Sequence, residues 1–233
     1  MTASFSHIEH WVFDLDNTLY PPSLDIFAGV DKKITAYMCH KLEMTEQEAE
    51  ALQNSHFEKH GTTLWGLLQE KQDKLDREEF IALIHDADFS KLTENQALKH
   101  ALSQLTGERL IFTNGSRHHA EAVLARLGII SCFDKIFDIY EARFRPKPHK
   151  QTYEDMVRFF ALNPKKSLCI DDTARNLLPA HELGMETLWV EPDIGGDEGD
   201  KEYQKIAFWQ SNGTHITHRT NNLIGFLQQA ALG

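Results

Sequence analysis

Two aspartates, Asp14 and Asp16, stand two residues apart where the apolar run Trp11-Val12-Phe13 gives way to DLDNTLYPP. Acids this close repel each other and lose hydration on burial, so the pair calls for a cation or a reactive partner. Three further stretches carry chemistry, each after an apolar segment: Thr113-Asn114-Gly115 after RLIF, Lys147 inside RPKP, and Asp171-Asp172 after SLCI. Three or four carboxylates, one ammonium and a hydroxyl form a donor set for a divalent cation and a phosphoryl group. Oxygen ligands suit Mg²⁺, which takes one or two carboxylates beside substrate oxygens and water. Each stretch alone has a plainer reading. A lone DxD is a turn or a helix cap, TNG a turn, RPKP a rigid loop, and Asp-Asp before Thr173 an N-cap. The conjunction in order, after successive strands, is what carries weight.

The elements that must hold these residues follow from hydrophobic periodicity. Apolar runs predict strands over 8–14, 109–113, 135–139, 167–171 and 186–190. Helical patterns lie between them, over 95–105, 118–127, 153–162 and 174–183, the second and last stopped by Gly128 and Gly184. Alternating helices and continuous apolar strands predict a doubly wound parallel sheet, whose ligands bind beyond the carboxyl ends of the strands. Two aspartates spaced by one residue at the end of an extended strand can then face one cleft. From about Ser23 to Ala87 the texture is helical throughout. Leu24, Phe27, Val30, Ile34, Tyr37 and Met38 predict a first helix, and Thr45 with Glu48 a capping box opening a second that closes near Gly61. Shorter helices are expected over 64–71 and 78–85. This block interrupts the winding, so the expected division is a core of 1–20 and 90–233 with a helical insertion over 21–89. A surface loop is expected over 191–204, and the last stretch reads as a short strand and a docking helix.

FDLDNTLYP, IFTNGS, RPKP and CIDDTARNL, in this order, resemble the haloacid dehalogenase (HAD) superfamily over essentially the whole chain. The resemblance implies a Rossmann-like core with a small helical cap over the site, and phosphatase activity. It implies Asp14 as the nucleophile, forming an aspartyl-phosphate. Asp16 would serve as the general acid, then as the base that activates water. Thr113, Asn114 and neighbouring amides would hold the phosphate, while Lys147 neutralises its oxygens and orients Asp14. Mg²⁺ would be held by the Asp14 side chain, the Asp16 carbonyl, Asp171 and Asp172. The superfamily's dehalogenases lack a carboxylate at the position of Asp16, because a halide leaves without a proton. The motifs are most similar to the pyrimidine 5′-nucleotidase branch, which implies UMP or CMP as substrate, with Pro22, Phe27 and Trp65 as candidates to face the base. A general phosphatase of phosphoglycolate or sugar phosphates is the alternative. A phosphotransferase, a mutase and a catalytically silent binding protein are rivals, the last disfavoured because the nucleophile, acid and metal-binding acids are all present.

Composition bounds the rest. The chain has 233 residues and a net charge of -11, so a polymeric nucleic acid is not the expected partner; a small phosphate monoester is. No stretch reaches about eighteen consecutive apolar residues, so no membrane span is expected. MTASFSHIEH has no basic start before an apolar run, so no signal peptide is expected there either. Cys39, Cys132 and Cys169 are odd in number and far apart, which suits reduced thiols in a cytoplasmic monomer or homodimer. His118 reads as a solvated helix end, and His181-Glu182 lacks the second histidine of a zinc motif.

Overall fold

The computed structural model describes residues 4–70, 74–192 and 211–232. Strand β1 (His10–Phe13) is followed by four helices, α1 (Val30–Leu42), α2 (Glu46–His60), α3 (Thr63–Glu70) and α4 (Arg77–Ile84). Winding then resumes with α5 (Gln96–Gln104), β2 (Glu108–Phe112), α6 (Arg117–Arg126), β3 (Lys135–Phe137) and α7 (Lys150–Phe160). It ends with β4 (Ser167–Asp171), α8 (Leu177–Glu182), β5 (Glu186–Val190), β6 (His218–Thr220) and α9 (Leu223–Ala230). The six strands form one sheet in the order β3-β2-β1-β4-β5-β6, and every pairing is parallel. The order runs outward from β1 in one direction and then crosses to its other side at β4. The carboxyl ends of β1 and β4 therefore flank the topological switch point.

Both faces of the sheet are covered, which is why its central strands read as apolar runs, whereas the edge strand β6, HRT, is polar and only partly buried. Side chains alternate between the faces. Trp11, Phe13, Ile111, Leu168 and Ile170 belong to one core cluster with α5, α6 and α9. Val12, Leu110, Phe112, Cys169 and Trp189 belong to another, packed on α7 and α8. Register is closed at the switch point by Phe13 facing Ile111 on one side and Ile170 on the other. The three cysteines are free thiols. No described helix is long and apolar enough to cross a membrane.

The helical block has a third cluster of its own, built from Ile34, Tyr37, Met38, Leu67 and Phe80 and joined by Ile139 from beyond β3. The expected capping box is present, with the Thr45 backbone N–H donating to Glu48 and the Glu48 backbone N–H donating to the Thr45 hydroxyl. The first helix begins later than its apolar spacing predicts. Pro22–Leu24 form a 3-10 turn, Asp25 takes a left-handed conformation (φ 47°), and α1 opens only after Gly29 (φ 76°). Leu24 and Phe27 thus lie in a connecting segment; a periodic pattern does not register a backbone reversal. Likewise Ala174–Asn176 is a 3-10 turn ahead of α8 rather than its first turn. The loop expected over 191–204 falls outside the described residues beyond Pro192.

Gly61 ends α2 at φ +85°, where a Cβ would stand 2.7 Å from the Lys147 carbonyl oxygen. Gly29 has a similar φ of +76° with open space around it. Gly29→Ala should therefore cost only backbone strain, about 1–2 kcal/mol, while Gly61→Ala should cost clearly more, because the chain at Lys147 must also move. Urea unfolding of the two variants checks this, and equal losses would contradict the close approach.

Candidate active site

Local chain geometry delivers the residues at the end of β1. The backbone turns at Asn17, which adopts a left-handed conformation (φ 61°) that asparagine tolerates better than most residues. The turn carries Thr18 and Tyr20 back onto the two aspartates four residues earlier. Thr18 Oγ1 donates to Asp14 Oδ2 at 2.9 Å, and Tyr20 Oη donates to Asp16 Oδ1 at 2.6 Å. At the end of β4 the Thr173 backbone N–H donates to Asp171 Oδ1 at 2.8 Å, the short-range turn that aspartate favours. Asn176 Nδ2 donates to the same oxygen at 3.1 Å.

The charges converge on Lys147. Its side chain is 3% exposed, and its Nζ donates to Asp14 Oδ1 at 2.7 Å and to Asp171 Oδ2 at 2.8 Å. Its backbone N–H donates to Asn114 Oδ1 at 2.8 Å, so the β2 loop holds the lysine loop in place. Burial by itself would lower the lysine's affinity for its proton. The two carboxylates outweigh it and hold the ammonium charged, above the usual lysine range. Burial pushes Asp14 up to about 6 against the pull of Lys147, and the negative charge of Asp171 adds to the rise. Asp172 adds a third carboxylate: one ligand oxygen each from Asp14, Asp171 and Asp172 lie within 4.8 Å of one another. A buried, all-oxygen set with one lysine against three acids fits a hard divalent cation, which would remove the remaining repulsion.

Asp16 lies at the edge of this cluster with its side chain 21% exposed. Oδ1 also takes His119 Nε2 at 2.8 Å. Burial raises the Asp16 carboxyl, but the His119 charge and the two hydrogen bonds outweigh it and hold the group below the usual carboxylate range. Both aspartates open into a cavity of about 450 Å³ between the sheet's carboxyl edge and the helical block. Phe27, Ile34, Phe57 and Ile84 give it apolar walls, and Gln53 and Arg175 add polar groups.

All seven residues singled out by sequence, Asp14, Asp16, Thr113, Asn114, Lys147, Asp171 and Asp172, line this cavity or bond to each other at its floor. Pro22 and Phe27 line it as well. Trp65 does not: its ring packs against His149 and Arg145. His118 is exposed, as expected, and its neighbour His119 is the buried one. Neither His119 nor the supporting hydroxyls of Thr18 and Tyr20 were expected. The available signal for His119 was register, since it falls on the same face of α6 as Val123, four residues on.

The haloacid dehalogenase-like hydrolase family matches residues 8–184. The chain belongs to that family. It is therefore a HAD hydrolase whose motifs end the strands of the matched region. Over 190 residues it is 27% identical to "Phosphate metabolism protein 8" of Saccharomyces cerevisiae, covering 74% of this chain and 58% of the yeast protein. The chain thus spans a little over half the length of that relative. Among solved structures it is similar to a HAD phosphatase from Thermococcus onnurineus at a TM-score of 0.53 and 16% identity, covering 94% of this chain and 96% of that one. The defluorinating L-2-haloacid dehalogenase Rha0230 is similar at a TM-score of 0.55 and 15% identity, covering 100% and 98%. Phosphatase and dehalogenase share this fold alike, so the fold alone does not choose between them.

Lys147→Met removes the buried cation and leaves Asp14 and Asp171 facing each other. Breaking a buried ion pair from one side costs roughly 3–5 kcal/mol, so the variant should unfold at distinctly lower urea. Added Mg²⁺ should narrow the gap, because a cation again faces the acids. An unchanged midpoint, or one insensitive to Mg²⁺, would contradict the charge balance described here.

Proposed function

We propose that this HAD hydrolase is a Mg²⁺-dependent phosphomonoesterase that acts through an aspartyl-phosphate on Asp14. The observation that carries the reading is Asp16, a second carboxylate on the cavity wall beside the nucleophile position. An alkoxide leaves poorly and needs a proton, whereas a halide does not. The name of the yeast relative, which speaks of phosphate metabolism, is in keeping with this choice.

In this reading Asp14 is held for attack by Lys147 and Thr18, each bonded to a different oxygen of its carboxylate. One Asp14 oxygen forms a bond to phosphorus while the bond from phosphorus to the leaving oxygen breaks. Asp16 gives its proton to that oxygen, so an alcohol departs. The ionised Asp16 then takes a proton from water as the water attacks phosphorus, which releases phosphate and restores Asp14. His119 and Tyr20 favour the ionised form of Asp16 when no substrate is present. A phosphate dianion beside it reverses that bias, since a nearby like charge favours the protonated acid. Thr113 and the amides of its loop would bind phosphoryl oxygens, and Asn114 keeps Lys147 in register with them. Asp14, Asp171, Asp172 and the Asp16 carbonyl would hold Mg²⁺, which would supply charge to offset repulsion between phosphate and nucleophile.

The helical block over 21–89 acts as the cap, and pyrimidine nucleoside monophosphates are the substrates. Resemblance motivates the substrate class, supported by a cavity whose apolar wall suits a flat ring and whose polar groups suit its edge.

A phosphate-release screen with Mg²⁺ over UMP, CMP, AMP, GMP, phosphoglycolate and p-nitrophenyl phosphate tests the proposal. UMP and CMP should exceed the purine nucleotides in kcat/KM by about 10–200-fold, the range that one or two differential contacts provide. EDTA should abolish turnover, and so should Asp14→Asn. Asp16→Asn should slow alkyl esters by about 10²-fold or more and spare p-nitrophenyl phosphate, whose leaving group needs little protonation. An optimum on phosphoglycolate would replace the substrate class alone. Undiminished activity in excess EDTA would overturn the assigned site.

A further inference from the structure

His119 is buried on α6, with its side chain wholly inaccessible, and its bond to Asp16 is the only side-chain hydrogen bond it makes among the described residues. Its Nδ1 is also buried and meets no polar partner among the described residues. Three rings enclose it, and none comes from the sheet. His85 stacks on it at 4.6 Å between centroids with planes 20° apart, and Phe27 and Phe89 each pack at 5.6 Å. Phe27 lies in the segment that leads from β1 into the helical block. His85 caps α4, and Phe89 lies in the segment that leads back to α5. Both connections therefore close around one core side chain. A second link runs through the backbone of α6. The N-cap hydroxyl of Ser116 accepts the His119 backbone N–H at 3.2 Å and also bonds His85 Nδ1 at 3.2 Å. Gly115 gives both rings room, since a Cβ there would stand 3.0 Å from the His119 ring and 3.4 Å from that of His85.

We propose that His119 is a positioning residue for Asp16, and that the two connections to the helical block set its place. His119 and Tyr20 engage Oδ1, which fixes the carboxylate's rotation and leaves Oδ2 to meet the leaving oxygen. An acid must come within about 2.6–3.2 Å of the atom it protonates, and a misplacement of about 1 Å can cost on the order of 10²-fold in rate. Any displacement of the block that shifts His85 or Phe27 changes the walls that hold His119, and so the aim of the acid. Proton donation is thereby tied to the position of the block, without any residue of the block touching the reacting atoms.

This inference rests on the phosphomonoesterase reading, and leaving-group dependence separates the two. His119→Ala, His119→Gln and His85→Ala would be assayed with Mg²⁺ on p-nitrophenyl phosphate and on UMP, or on whichever alkyl ester of the screen turns over fastest. His119→Ala should lower kcat on the alkyl ester by about 10²-fold, with KM little changed and the aryl ester nearly spared. His119→Gln keeps an amide N–H that can reach Asp16 and should recover much of the loss. His85→Ala should shift the same ratio in the same direction by a smaller factor. Added to Asp16→Asn, His119→Ala should cost nothing further. Equal losses on both esters, a change in KM alone, or an additive loss in the double variant would overturn the positioning role while leaving the phosphatase standing. A wild-type protein inert on every ester would overturn the phosphatase reading and the inference with it. Should His119→Ala fail to fold, the glutamine and His85 variants still decide the matter.

Discussion

The ammonium of Lys147 bridges Asp14 and Asp171, and most of the site's construction serves that one contact. Two carboxylates buried side by side repel each other and lose hydration, a cost that an opposite charge between them offsets. A lysine between them offsets that repulsion, but only if its own long side chain is held still. Asn114 fixes its backbone, Phe112 lies beneath its Nζ at 5.1 Å, and the close approach of Gly61 confines its loop from the side of the helical block. Thr18 occupies the other Asp14 oxygen, and Asn176 with the Thr173 amide occupies Asp171. Asp14, Asp171 and Asp172 still set three carboxylates against the one lysine ammonium in this cluster among the described residues. That deficit is what makes the position receptive to a cation.

The parallel sheet explains how such distant residues meet. Asp14 and Asp171 are 157 positions apart in sequence, yet β1 and β4 are neighbours, and the Asp14 backbone N–H donates to the Ile170 carbonyl. Nothing in the local sequence around either aspartate indicates the other. Strand order does, and strand order follows from burying both faces of five apolar runs. This is why the strands were legible: Val12, Leu110, Cys169 and Trp189 pack on one side and Phe13, Ile111 and Ile170 on the other, leaving no polar alternation to confuse the reading. The floor of the site was legible for the same reason, since Asp14, Thr113 and Asp171 end or directly follow such runs, while Lys147 lies in the loop between β3 and α7.

Where sequence reading fell short, the deciding cause was tertiary. Leu24 and Phe27 keep helical spacing, but Asp25 and Gly29 turn the backbone left-handed between them and α1, and Phe27 faces His119 instead of extending a helix. Trp65 was a reasonable candidate to meet a base, but α3 presents it to His149. Of the pair His118-His119, spacing alone gives no reason to weigh one above the other until the face of α6 is known. The supporting residues Tyr20 and Thr18 are ordinary turn residues in sequence. They gain their roles only because Asn17 reverses the chain.

These misses share a location. They lie where the helical block meets the sheet, whereas the motifs that the sequence brought together line the carboxyl edge of the sheet, where a phosphoryl group is proposed to bind. The division has a physical basis. In the proposed reading, attack and cation binding depend on short motifs at the ends of β1, β2 and β4, so their geometry is as regular as the sheet. Leaving-group chemistry in that reading depends on Asp16, whose surroundings are Tyr20 from the turn and His119 enclosed by rings from both connections. Such surroundings are assembled from side chains 103 positions apart in the case of Asp16 and His119, with no backbone pairing to enforce them. The same sheet supports proteins described as phosphatases and as dehalogenases, which differ in what must happen to the departing group. In the proposed reading, a scaffold that sets the nucleophile on the sheet edge and the acid against side chains from the two connections can change its leaving group without rebuilding its core. That separation, written here in the contrast between Lys147 on the sheet edge and His119 between the connections, is what the fold contributes to chemistry beyond holding the residues in place.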